Sequence, residues 1–230
     1  MSEWVVRVSD DIAELSLTEP ERNNNGYCFF SNMSNKGWSL SAIAGALGNI
    51  RYESSINPGA CEIGRGEPRS GSLYYAGGLG LIQWTDYPPY TGQYVNPLLW
   101  YANSVSANWW SGNLQCDLID LADDPTVTDC GVGQGARWGW QYNTHAYLSY
   151  DDYKIFSGTP EEAAEIWMYS MERPGSSASL AQREFYASYW YDWLGGQTPD
   201  VPTDPNNPDY EEETYYSDFW VLLGRKRRKL

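Results

Sequence analysis

The chain has 230 residues, 12 Trp and 19 Tyr among them, and a formal net charge of −15. Five of its fifteen basic residues crowd into 225–229, so the remainder is more acidic still. That balance excludes nucleic-acid binding by the main domain, and simple electrostatic capture by an anionic cell wall. No apolar run approaches 18 residues, so no transmembrane segment is expected, and Met1-Ser2-Glu3-Trp4 lacks the charged start and apolar stretch of a signal peptide. A domain of about 180 residues buries about 70% of its unfolded surface and needs no covalent staple. Cys28, Cys61, Cys116 and Cys130 allow three pairings; Cys116 with Cys130 would close a local loop and leave Cys28 with Cys61, while reduced, buried thiols are the alternative. There is no Cys-x-x-Cys and His145 is the single histidine, so neither a zinc site nor another cofactor is expected.

In chain order, Trp4-Val5-Val6 with Val8 reads as a short strand or an arm. Propensity makes Asn23-Asn24-Asn25-Gly26 a loop. Next, Leu40, Ile43, Ala44, Leu47 and Ile50 repeat at the spacing of one buried helical face, with Ser39 as N-cap. Gly45 and Gly48 each weaken that helix by about 1 kcal/mol relative to Ala, which predicts a close approach by another backbone. Glu53 lies three residues beyond Ile50, so a helix that reaches it projects the carboxyl from the apolar side. Such surroundings favour the neutral acid, the form needed to protonate a glycosidic oxygen. A frayed helix end with Glu53 in solvent is the plainer alternative.

Asn57-Pro58-Gly59 is a turn, and 59–78 reads as loop with a short hairpin; Glu62 and Glu67 fall there. Gly77-Gly78-Leu79-Gly80 lets backbone approach something closely. Gln83 carries both an amide donor and an acceptor, which suits an N-acetyl sugar or, equally, a buried backbone group. Asn96-Pro97 starts a helix to about Val105, and Leu114, Leu118 and Leu121 mark another. Trp138, Trp140 and Tyr142 alternate as a strand's core face or a sugar platform would. Thr159-Pro160-Glu161-Glu162 predicts a capped helix with a capping box and a stripe of Ala163, Ile166, Trp167 and Met171, stopped by Pro174-Gly175. A last helix, about Ala178 to Leu194, is expected to bury Leu180, Ala187, Trp190, Tyr191 and Leu194. Residues 196–214 form an acidic, Pro-rich linker, and 215–230 an apolar-basic tail.

Gly48-Asn49, Glu53-Ser54, Asn57-Pro58 and Gly78-Leu79-Gly80-Leu81-Ile82-Gln83-Trp84-Thr85, in this order and spacing, resemble the phage tail lysozyme family of the lysozyme-like superfamily. The Glu-Ser followed by Gly-Leu-x-Gln is also similar to lytic transglycosylases and goose-type lysozymes. The resemblance continues to Glu172-Arg173-Pro174 and the Arg183 helix, and so covers roughly residues 15 to 195, behind an arm over 1–14.

It implies a mainly α (α+β), lysozyme-like fold with a small β/loop lobe beside a cleft, and a first helix over about 15–36 that overrides the loop reading. It implies hydrolysis of the β-1,4 glycan backbone of peptidoglycan between N-acetylmuramic acid and N-acetylglucosamine, with Glu53 as general acid. Ser54, Gln83, Trp84 and Tyr87 would orient the sugars, and Glu62 or Asp86 would be any second carboxylate. Glu172 reads as structural, pairing with Arg183. A lytic transglycosylase using the same Glu53 is the enzymatic alternative, although its Asn-Ala-Gly motif followed by Tyr is missing. A non-catalytic virion or wall-binding module on the same scaffold is the other alternative. The implied location is the phage tail, or the wall after release, with the C-terminal tail docking on phage tail proteins.

Overall fold

A computed structural model describes residues 3–85, 95–130, 138–142, 147–174 and 176–195. Asp86, Tyr87, His145, the linker over 196–214 and the tail over 215–230 lie outside the described residues. The helices are α1 (Ile12–Leu15), α2 (Glu19–Asn35), α3 (Leu40–Ser54), α4 (Pro97–Ser104), α5 (Gly112–Asp120), α6 (Pro125–Thr128), α7 (Tyr150–Lys154), α8 (Pro160–Trp167) and α9 (Leu180–Leu194). The fold is mainly α, and α3 runs through its centre.

The spacing along α3 predicts one buried face; the structure buries every residue from Ser41 to Arg51. The reason lies in its two glycines. A Cβ on Gly45 would stand 2.6 Å from the Ala163 carbonyl carbon of α8, and one on Gly48 would stand 2.4 Å from the Arg183 carbonyl oxygen of α9. Both helices therefore lie directly on the α3 backbone, which is the close approach expected from the sequence. Ser39 caps α3 by accepting from Ala42 N at 3.2 Å.

Helix α2 includes the Asn run that local propensity assigns to a loop. Tertiary bonds override that preference. The Asn25 amide donates to the backbone of Val5 and Ile56 and its oxygen accepts from Val5 N, while Gly26 leaves room for the Trp190 ring. The N-terminal segment is extended. It is clasped by Asn25 and by Asn57, which bonds both Arg7 N and Arg7 O.

The small lobe between α3 and α4 contains isolated pairings rather than a ladder among the described residues: Ser9 with Ala60, Cys61 with Leu79, and Leu79 with Trp84. Side chains from the helical part hold it in place. Gln115 of α5 accepts from Leu81 N and donates to the carbonyls of Pro58 and Trp109. Asn96 caps α4 and donates to Trp84 O at 2.8 Å.

Several expectations need correction. Of the two alternatives for the cysteines, the structure has the reduced one: all four are buried thiols, and the pairings of Cys116 with Cys130 and Cys28 with Cys61 are not formed. Burial pushes the Cys61 thiol up to about 12 and that of Cys116 well above its ordinary value, leaving both as unreactive core residues. Trp138, Trp140 and Tyr142 form no strand. Trp138 is buried, Trp140 packs on Tyr150 and Tyr153, and Tyr142 is 73% exposed. Thr159 caps α8, but the Glu162 carboxylate accepts from the Tyr147 hydroxyl, which takes it away from the reciprocal half of a capping box. In α9 the buried set is Arg183, Tyr186, Ala187 and Trp190, with Tyr191 facing outward.

Candidate active site

The site begins with how α8 ends. After Trp167 the chain widens into a π turn over Met168–Glu172, and Arg173 closes it with φ +48°. In an α-helix a residue five positions on lies about 140° round the cylinder; the wider π turn brings it back toward the starting face. Trp167 and Glu172 thereby meet, and the indole Nε1 donates to Glu172 Oε1 at 3.1 Å. Arg173 donates to Gly139 O at 2.9 Å and ties the turn to the Trp138 segment.

The last turn of α3 faces this one. Glu53 Oε1 accepts from Arg183 Nη2, with Arg183 only 2% exposed and Glu53 15%. Arg183 also donates through Nη1 to Asn49 Oδ1 at 2.7 Å and through Nε to Ser179 Oγ at 3.1 Å. Its guanidinium lies 4.4 Å from the centre of the Tyr52 ring. Asn49 is completely buried and donates to Gly45 O and Ala164 O, so one side chain ties α3 to α8 and orients the arginine of α9. Among the described residues, no side-chain nitrogen or oxygen of this cluster is buried without a hydrogen-bond partner, as a buried polar network requires.

This arrangement changes two sequence readings. Arg183 bonds Glu53, not Glu172. The apolar setting expected for Glu53 is instead an ion pair with a buried guanidinium. The carboxyl whose pKa the fold raises is Glu172. Burial pushes its pKa up to about 8, and repulsion from Glu53 adds to this against the opposing pull of Arg183, the Trp167 hydrogen bond and Arg173. The folded value lies above the reference of 4.5, so the stability tied to this proton is whole below pH about 4.5 and lost as pH rises toward 8. Between pH 5 and 9 the melting temperature of the wild type is therefore expected to fall relative to that of Glu172→Gln; parallel thermal melts across that range check it.

Glu172 also lines a small, open cleft, together with Gln83, Trp84, Thr85, Trp138 and Arg173. Gln83 lines this cleft, held with φ +52°. Its Nε2 donates to Gly80 O at 3.0 Å, and its side chain packs into the space above Gly78. Trp84 is buried in the cleft wall, edge-on to Trp138 at 6.2 Å. Ser54 is not available to a ligand: it is 2% exposed and donates to Ile50 O within its own helix. The Glu62 carboxylate is committed to the small lobe, accepting from Gly78 N at 2.9 Å beside Arg65 at 3.7 Å. Asp86 and Tyr87 fall outside the described residues. Asn49, Trp167 and Arg173 had no functional reading in the sequence. The one signal for Glu172 is its place in the Glu-Arg-Pro signature.

The sequence model for the phage tail lysozyme family matches residues 24–194. The chain is also 27% identical over 182 residues to morphogenesis protein 1 of Bacillus phage B103, an alignment that covers 79% of this chain and 42% of that protein. It therefore spans less than half the length of this relative. The match takes in α3, the small lobe, the cleft, the π turn and all of α9, and the chain belongs to the phage tail lysozyme family, with a mainly α, lysozyme-like fold.

Proposed function

We propose that the chain is a peptidoglycan-degrading glycosidase that cleaves the β-1,4 bond between N-acetylmuramic acid and N-acetylglucosamine, with Glu53 as the proton donor. The observation that carries this reading is the placing of Glu53. In a chain of this family, its carboxyl ends the central helix, held by a buried arginine and close enough to a cleft-lining carboxyl to repel it. A glycosidic oxygen leaves as an alcohol only if a proton reaches it as the C–O bond breaks, and a positioned carboxyl supplies that proton. Gln83 would orient the N-acetyl sugars, with the buried rings of Trp84 and Trp138 fixing the wall behind it. The activity belongs at the phage particle or at the wall after release, with the tail over 215–230 as a contact for phage tail proteins.

Glu53→Gln tests the assignment, since it keeps the shape of the side chain and removes the acid. The expected result is a loss of glycan cleavage of at least about 10²-fold, in line with what general acid catalysis contributes, read beside the melting temperature because the change also takes the charged partner from buried Arg183. Reducing-end release from purified walls measures it. Equal activity in the variant would remove Glu53 from the chemistry. Sedimentation with walls and no cleavage by either protein would mark a binding module.

A further inference from the structure

The reading of Glu53 as proton donor leaves one group in the cleft wall without a task, the guanidinium of Arg173. Among the described residues that line the cleft, Arg173 alone carries a permanent positive charge. We propose that Arg173 is a specificity-determining residue that binds a carboxylate on the lactyl side of muramic acid, either that of the lactyl group on a peptide-free strand or that of an attached stem peptide. N-acetylglucosamine has a plain hydroxyl at that place, so this contact would tell the two sugars apart. The inference rests on the reading of the cleft as a glycan site.

Residue type, placement and charge each support it. A helical turn that ends in the left-handed region is closed most cheaply by Gly. This π turn closes on an arginine at φ +48°, whose N–H donates to Met168 O at 2.7 Å. The chain thus keeps a long cationic side chain where the backbone disfavours one. The head of that side chain is placed at the cleft. Arg173 Nη1 donates to Gly139 O at 2.9 Å, and Gly139 lines the same cleft. Gly139 is itself fixed, at φ +93° against Ala122 O where no Cβ would fit. Gln141 N donates to Ser170 O at 3.0 Å and ties this segment to the π turn a second time. The guanidinium is therefore anchored at its backbone and at its tip. It has five N–H donors in a planar fork, of which the Gly139 bond uses one, and the fork matches the two oxygens of a carboxylate. The net charge of −15 opposes long-range capture of an anionic polymer, so recognition of an anionic group falls to a cation inside the cleft. Glu172, the one acid among the described lining residues, takes its hydrogen bond from the Trp167 indole rather than from Arg173.

Calorimetry in a Glu53→Gln background reads binding without relying on cleavage, and wild-type KM values for the same fragments read it by a second route. The probes are two pairs of short peptidoglycan fragments. One pair is peptide-free, with the lactyl carboxylate free or capped as its methylamide; the other bears stem peptides, with their carboxylates free or capped. Capping is expected to weaken binding by about 10-fold or more in at least one pair, the range of a hydrogen bond between charged groups, and the pair that responds identifies the source of the carboxylate. Arg173→Gln should bind the free and capped members of that pair alike. Arg173→Lys keeps the charge without the fork and should recover part of the difference. An Arg173 that acts only through Gly139 would, when replaced, weaken all four fragments to the same extent and leave the free-to-capped ratio in place, and that result would overturn the proposal. Equal affinity of the parent protein for the free and capped members of both pairs overturns it as well, whether or not Arg173→Gln folds. Binding to none of the four would refute the glycan reading of the cleft, and the proposal with it. Retained cleavage by Glu53→Gln would instead refute the assignment of Glu53 alone, since the free-to-capped ratio does not depend on it.

Discussion

Arg183→Met is expected to destabilise the domain by about 3–5 kcal/mol, the cost of removing one partner from a buried ion pair. Arg183 is 2% exposed and hydrogen-bonds three side chains at once, those of Glu53, Asn49 and Ser179. Methionine fills much of the volume but leaves the Glu53 carboxylate and the Asn49 oxygen without donors. For a domain of this size the loss corresponds to a fall in melting temperature of roughly 10 °C. A double-mutant cycle in urea separates the pair from the packing. Glu53→Gln should relieve part of the damage, so the double variant loses less than the sum of the two single ones. Strict additivity would mean that the ion pair carries none of the cost. Arg183→Lys keeps the charge but loses the planar fork that serves Glu53 and Asn49 together, and should fall between wild type and Arg183→Met.

Gly48→Ala should also destabilise, although helix propensity alone predicts a gain of about 1 kcal/mol. The added methyl would stand 2.4 Å from the Arg183 carbonyl oxygen and 2.9 Å from Ala187 N. These are backbone atoms of α9 and cannot turn away as a side chain could. Overpacking of this kind costs about 1–3 kcal/mol, and relief requires α9 to move off α3. Since α9 carries Arg183, the shift should lower cleavage as well as stability. Chemical denaturation beside a wall-digestion assay checks both. A stabilised Gly48→Ala would mean that α3 and α9 are not in backbone contact.

The central helix was legible because its signals agree with one another: an N-cap at Ser39, a regular apolar spacing, and two glycines that make sense only beneath another backbone. The starts of α4 and α8 were legible for the same local reason, a capping side chain followed by Pro. Helix α2 was not legible from propensity, because Asn25 and Gly26 are held helical by Val5, Ile56 and Trp190, and the sequence does not record those distant partners. Glu53 could be singled out from its register on α3. Its partner could not, since the choice of Arg183 between Glu53 and Glu172 depends on how α8 ends. A π turn has no residue signature comparable to a cap or a Pro, so nothing in Met168–Glu172 announced that Glu172 would reach the cleft. Ser54 was misread for a related reason: a hydroxyl beside the candidate acid looks available until the helix carbonyl of Ile50 takes its proton.

The measurement that bears most directly on the account is digestion of purified peptidoglycan in water enriched in oxygen-18, with mass spectrometry of the products from wild type and Glu53→Gln. Hydrolysis at Glu53 predicts new reducing ends that each carry one heavy oxygen, absent when the variant is used. Products ending in anhydromuramic acid without the label would assign the cleavage to transglycosylation, and labelled ends produced equally by Glu53→Gln would contradict the role given to Glu53.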